Sequence, residues 1–177
     1  DPNGLLTSLG GSPFAAGANV YQITADPFGK VLYAGNLGSS NISGYTVGND
    51  GNLTSASGSP FGTSYPPRGI KTDPSGKFLY ASITGDTFTI NKIYSYSING
   101  STGAITYFDP NLPSGIFPQD ITVDPSGKYV YTANAYSDSI SGYSINTVTG
   151  GLTALSGSPF SGGGLHWPWY ITTDPSG

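Results

Sequence analysis

Tyr21, Arg68, Gln119 and Trp169 each stand five residues ahead of an Asp-Pro pair, and they differ in chemistry at an otherwise equivalent position. A guanidinium can clamp an anion, an amide and a phenol can orient hydroxyl and carbonyl groups, and an indole can cover the apolar face of a ring. The set suits a sugar or another polar organic ligand. Asp120, His166 and Trp167 lie beside these positions, and Asn36, Asp86, Asn134 and Asp138 fall in neighbouring connections. His166 is the sole histidine and the natural candidate for a general base, although a lone His between Gly-rich and Trp-rich sequence also suits an ordinary loop. Arg68 has an equally plain alternative as an inter-blade hydrogen-bonding residue. Asp86 and Asp138 do not belong to an acidic cluster able to supply six oxygens to Ca²⁺, so neither a metal site nor a cofactor is expected. Asn41, Asn52 and Asn99 begin Asn-x-Ser/Thr triplets and are candidate glycosylation positions, at about the frequency that chance gives this composition.

The elements that must position these residues come from a repeat. Four of the six Asp-Pro pairs, those at Asp26, Asp73, Asp124 and Asp174, are separated by 47, 51 and 50 residues. Each of the first three opens the same succession: Asp-Pro-x-Gly-Lys, an apolar run (Val31-Leu32-Tyr33, Phe78-Leu79-Tyr80, Tyr129-Val130-Tyr131), an alternating segment ending in Tyr-Thr-Val or Tyr-Ser-Ile, and a short Leu-Thr or Ile-Thr. Gly-Ser-Pro-Phe closes the first and third units, whereas the second ends in a degraded form at Phe117. A period near fifty made of strand and turn signals predicts an all-β fold, a β-propeller with one four-stranded blade per repeat. About 3.5 blades are expected: residues 1–14 as the last strand of one blade, blades at 15–61, 62–117 and 118–160, and the first strand of another at 161–177.

Within a blade, strand a precedes the Asp-Pro turn, strand b is the apolar run, strand c alternates, and strand d lies outermost. The Asp should accept backbone hydrogen bonds, Pro fixes φ, and Gly takes the left-handed conformation. The Asp-Pro face repeats itself and reads as structural, while the opposite rim carries the variable residues named above. Leu5–Leu9 and Pro168–Thr173 are expected as lone d and a strands. Strands a and d are not neighbours within a blade, so these ends should recruit either the rest of a longer, seven-bladed chain or further copies, end to end, in an oligomer or filament.

Charged residues make up 9% of the chain and the net charge is −4, without a basic stripe of the kind that binds nucleic acid. No apolar run reaches the ~20 residues that span a bilayer. The low charge and the Ser, Thr, Asn and Gly content point towards a secreted, periplasmic or cell-surface location, with which the lack of Cys is compatible.

The blocks GKVLYAGN, GKFLYAS and GKYVYTAN, with ISGYTV, ISGYSI and GSPF, resemble the lactonase-family β-propellers with YVTN-like repeats, a group that includes bacterial 6-phosphogluconolactonases and fungal muconate-lactonising enzymes. The resemblance covers essentially the whole chain and implies seven blades in the intact protein. It also implies His, Arg and Glu around the axis at one rim, yet all ten acidic residues here are Asp, and no catalytic residue carries over. The expected function is therefore a non-catalytic extracellular scaffold that binds carbohydrate, another ligand or protein; the alternative is a lactone hydrolase resembling 6-phosphogluconolactonase.

Overall fold

The computed structural model describes residues 6–85, 89–161, 164 and 166–175, and among them fourteen strands form three antiparallel sheets without a helix. The first sheet runs β1 (Val20–Ala25), β2 (Val31–Asn36), β3 (Asn41–Val47) and β4 (Leu53–Ser55), with the two-residue β5 (Phe61–Gly62) also pairing on β3. The second runs β6 (Pro67–Thr72), β7 (Phe78–Thr84), β8 (Asn91–Ile98) and β9 (Ile105–Pro113). The third repeats the first: β10 (Pro118–Val123), β11 (Tyr129–Asn134), β12 (Ser139–Ile145), β13 (Leu152–Ala154) and β14 (Phe160–Ser161) on β12. The twelve expected strands of three blades are present, and the chain is part of a β-propeller.

Each blade starts from a carboxylate. Asp26, Asp73 and Asp124 accept from the backbone N–H groups two, four and five residues on, at 2.6–3.2 Å, so one side chain ties the whole a-to-b turn. The closing glycines Gly29, Gly76 and Gly127 sit at φ of 66–67°, where a Cβ would be strained. Burial raises the Asp124 pKa, but hydrogen bonds from Ser126, Tyr129 and Lys128 outweigh it and hold the group below the ordinary carboxylate value.

The Gly-Ser-Pro-Phe motif pairs with a glycine of strand c. Gly44 and Gly142 donate their N–H to Ser59 and Ser158 Oγ, both at 2.9 Å, and their carbonyls accept from Ala56 and Leu155. A Cβ at Gly44 would lie 3.0–3.1 Å from the rings of Phe61 and Tyr33, and one at Gly142 would lie 3.1 Å from Phe160, Tyr131 and Leu155. Two aromatic side chains thus occupy the space a side chain would need. In the second blade Ser95 stands at this position, the motif is absent, and β9 runs unbroken for nine residues with register shifts against β8 on both sides of Ser95.

Blades are joined through their strand-b tyrosines. Tyr33, fully buried, donates to the carbonyl of Gly103 at 3.0 Å, and Tyr80 donates to that of Gly150 at 2.9 Å, each bond crossing to the following blade over 70 residues. Apolar side chains fill the space on either side: Val31, Ile42, Ile70, Leu79 and Ile83 between the first two blades, and Phe78, Ile93, Ile121, Val130 and Tyr143 between the second and third.

The two ends differ from expectation. Residues 6–10 and 166–173 contain no strand, because a strand needs a ladder partner and neither segment has its b or c neighbour. Leu5 lies outside the described residues. Both segments nonetheless touch the outer blades as true blade strands would. Leu9 lies against Gly51 as Ala56 lies against Gly103, and Thr173 bonds the Val123 carbonyl as Thr72 bonds that of Ala25. Among the described residues no helix is long and apolar enough to cross a membrane.

Two measurements check this account. Gly142→Ala should destabilise the chain by about 1–3 kcal/mol in denaturant unfolding, since the rings cannot yield together, whereas Ser95→Gly, where the motif is missing, should change stability little. Because the folded Asp124 pKa is depressed, its contribution is present above the unfolded pKa and lost as pH falls through the folded one; unfolding between about pH 5 and about pH 2 should show an acid slope that Asp124→Asn reduces.

Candidate functional site

The variable rim residues are placed by a defect that all three inner strands share. Val20 pairs with Asn36 and Gln22 with Gly35, leaving Tyr21 as the extra residue of a β-bulge. The same shift isolates Arg68 between Pro67 and Gly69, and Gln119 between Pro118 and Asp120. A bulge re-aims its side chain, and here three of them are re-aimed towards one another. Gln119, 1% exposed, accepts at Oε1 from both Tyr21 Oη and Arg68 Nη1, each at 3.3 Å. Gln119 Nε2 and Arg68 Nε are buried and have no acceptor among the described residues.

A second layer lies one residue further along the strands. Gln22 donates to Asp120 Oδ1 at 2.7 Å, joining the first blade to the third, and accepts from the Ile70 N–H. The bond passes over Gly69, whose missing side chain makes it possible: a Cβ there would lie 2.8 Å from the Ile121 nitrogen and 3.0 Å from Asp120 Cα. Asp120 also accepts from the N–H groups of Ile121 at 2.8 Å and Ile171 at 3.0 Å. Its carboxylate is thus committed to structure, holding the chain after the third blade against the axis.

Arg68 rests on aromatic rings. Its Cζ lies 4.1 Å from the Phe117 ring centre and 6.0 Å from that of Tyr21. Phe117 stacks on Tyr136 at 4.3 Å, and Tyr136 meets Trp167 edge to face at 4.8 Å. Phe117 holds a left-handed φ of 62°, unfavourable for a bulky residue, and is pinned there by donating to Asn91 Oδ1 and accepting from Ala135. Burial lowers the Arg68 pKa, opposed by the Tyr21 and Tyr136 phenols rather than by a carboxylate. The guanidinium stays charged, short of counter-charge, and is a ready partner for a carbonyl or an anionic oxygen.

Tyr21, Arg68, Gln119 and Asp120 therefore come together, and Trp167 joins them through Tyr136. Trp169 and His166 are exposed, and among the described residues no hydrogen bond or ring contact joins either of them to Arg68 or Gln119. Asp138 accepts from the Trp167 N–H at 2.8 Å and so anchors that loop. Asn36 and Asn134 are fully buried rather than displayed on the rim, tying strand b to Ser43 and Ser141 of strand c. Asp86 lies outside the described residues. Lys71 lines a cleft with Asp73 and Pro27, at the Asp-Pro end, and does not supplement Arg68. Among the described residues no three His, Cys, Asp or Glu side chains gather as metal ligands would. Of the glycosylation candidates, Asn41 accepts from Asn36, Asn52 bonds Asp50, and Asn99 caps its turn in an exposed position. Gln22, Gly69, Phe117 and Tyr136 were not foreseen as site residues. The difference of Gly69 from Gln22 and Asp120, one place after the variable position, was the available signal for two of them.

The profile of a family described as "Lactonase, 7-bladed beta-propeller" matches residues 7–83 and 69–165. The chain belongs to the lactonase family. Its fold is similar to a putative 6-phosphogluconolactonase from Bacteroides uniformis, with a TM-score of 0.75 at 24% identity over 89% of this chain and 44% of that one. A putative 6-phosphogluconolactonase from Bacteroides fragilis gives 0.74 at 20% identity over 88% and 42%. The periplasmic gluconolactonase PpgL of Pseudomonas aeruginosa gives 0.66 at 16% over 76% and 38%. No functionally curated protein matches significantly. The chain spans less than half the length of these three structures.

Gly69→Ala probes the site directly. The added methyl should force the second and third blades apart, costing about 1–3 kcal/mol of stability in thermal or denaturant unfolding. A variant as stable as the parent would show that Gln22 and Asp120 do not depend on the open space at Gly69.

Proposed function

We propose that the intact protein hydrolyses a lactone, and that these blades supply the groups that bind and polarise it. The observation that carries the reading is the pair of buried donors without an acceptor among the described residues, Arg68 Nε and Gln119 Nε2, where the guanidinium lies against the Phe117 ring and the Gln119 amide rather than a carboxylate. Membership of the lactonase family supports this above the scaffold reading. In such a reaction water adds to the lactone carbonyl carbon, the ring C–O bond breaks, and a hydroxy acid leaves. Charge grows on the carbonyl oxygen as water adds, and donors held away from bulk water stabilise it without reorganising. Arg68 and Gln119 take that role here, while Tyr21 and Trp167 flank the ring. Asp120 accepts from three donors in the blade packing and serves as a positioning residue. The water-activating group then belongs to other blades of the ring.

A non-catalytic binding scaffold is the second reading, favoured by that commitment of Asp120 and by the distance in contacts between His166 and the Arg68 cluster. Location outside the cytoplasm is part of either reading, in keeping with the periplasmic gluconolactonase of similar fold. Both readings also include further blades, from a longer chain or other copies, over the open faces, where Ile23 is 62% exposed although its counterparts Ile70 and Ile121 are 1–2% exposed.

Hydrolysis of gluconolactone and of its 6-phosphate by the full natural protein decides between the two. Turnover above the spontaneous rate, reduced about 10²-fold or more by Arg68→Ala with folding intact, is the expected result. Absence of turnover on both, with ligand binding retained, would favour the scaffold.

A further inference from the structure

The second blade differs from the other two on a face away from the rim. On the strand-c face that meets the preceding blade, the first and third blades carry Ser43 and Tyr45, or Ser141 and Tyr143, with Ser55 or Ala154 opposite on strand d. The second blade carries Tyr94 and Tyr96 on β8 with Tyr107 opposite on β9, so two small residues have become tyrosines. The three rings meet edge to face, Tyr94 to Tyr107 at 5.1 Å and Tyr96 to Tyr107 at 5.7 Å. With Gly62, Thr63 and Ser64 of the first blade's exit segment they line a cleft of about 330 Å³.

The hydroxyl of Tyr96 shows that this cleft is more than filled core. Its counterparts are satisfied: Tyr45 donates to the Ala15 carbonyl at 2.5 Å and Tyr143 to that of Pro113 at 2.7 Å. Ala15 and Pro113 each stand eleven residues ahead of an Asp-Pro, where the second blade has Gly62. Gly62, however, is drawn into β5 by pairing with Asn41, and the chain turns at Ser64 through a left-handed φ of 62°. Tyr96 is 3% exposed, lines the cleft, and its hydroxyl has no partner among the described residues. The unpaired hydroxyl faces the cleft, and a ligand group that bonds it replaces the water it otherwise holds. Burial, with Tyr94 and Tyr107 alongside, pushes Tyr96 well above the ordinary phenol value, so the group remains a donor.

We propose that this cleft binds an uncharged carbohydrate ring. None of its lining side chains is charged, which disfavours anions and cations alike. Its aromatic walls suit the C–H faces of a pyranose, and Tyr96 and Ser64 offer hydroxyls to the sugar's own, while the Thr63 hydroxyl donates to the Tyr65 carbonyl. The volume is at the small end of ligand pockets and fits a monosaccharide or one residue of a chain. The site lies between the outer strands of two blades and is independent of the proposed lactone chemistry.

The test is saturation-transfer NMR on the full natural protein with the methyl glycosides of glucose, galactose, mannose and N-acetylglucosamine. At least one should receive saturation at its ring hydrogens. Tyr107→Ala should abolish the transfer, Tyr96→Phe should weaken affinity about threefold to tenfold while leaving the unliganded protein no less stable, and Arg68→Ala should leave it unchanged. Should Tyr107→Ala fail to fold, Tyr96→Phe retains the ring and decides alone. The proposal is overturned by the absence of transfer to all four glycosides, by full affinity in Tyr96→Phe, or by transfer that disappears in Arg68→Ala.

Discussion

A tyrosine hydroxyl that must find a partner inside the protein governs how these blades stack. Tyr33 and Tyr80 are each fully buried between two sheets, where an unpaired hydroxyl would be costly, and each finds the carbonyl of a turn glycine in the next blade. Apolar packing alone is tolerant of sliding. A directed bond at the outer end of the interface, together with the Gln22 side chain accepting from Ile70 at the inner end, removes that freedom. The rotation from blade to blade follows, and with it the convergence of Tyr21, Arg68 and Gln119 on a common point.

Much of this was legible because it is local. An Asp-Pro-x-Gly turn is written in four adjacent residues, and the carboxylate that organises it acts within five. The twelve strands of the three blades, their order and the internal face of strand b are written in the same short-range signals, whereas the two-residue β5 and β14 were not expected. What escaped was everything that depends on absence in one blade and presence in another. The missing side chain at Gly69 has meaning because the backbone of the third blade at Asp120 and Ile121 comes up against it, which lets Gln22 reach Asp120. Phe117 reads as a worn copy of the blade-closing Phe, yet it lies under Arg68, since the second blade has Ser95 rather than a glycine for such a ring to cover. The end segments read as strands from their sequences, but pairing needs a neighbour that sequence proximity does not provide.

The rim and the lateral cleft illustrate two ways in which the units of a repeat protein diverge. At the rim, equivalent positions diverge and then meet, so a site assembles from three blades that each contribute one side chain. In the cleft, one blade changes several positions at once: Ser to Tyr at 94, Asn to Ile at 83, a small residue to Tyr at 107, and loss of the Gly-Ser-Pro-Phe closure. The buried Asn-to-Ser bonds of the first and third blades, Asn36 to Ser43 and Asn134 to Ser141, have no counterpart there. A polar knot has been exchanged for an aromatic wall.

The bulge in every inner strand bears on how such a protein can change. Tyr21, Arg68 and Gln119 are each an added residue, opposite nothing on the partner strand, while the ladder resumes its count on either side. A substitution there leaves the inward and outward alternation of its neighbours untouched. The fold thus carries, in each blade, one position whose identity does not set the register of its strand. The residue at this position can change from blade to blade while the strand pairing keeps its register.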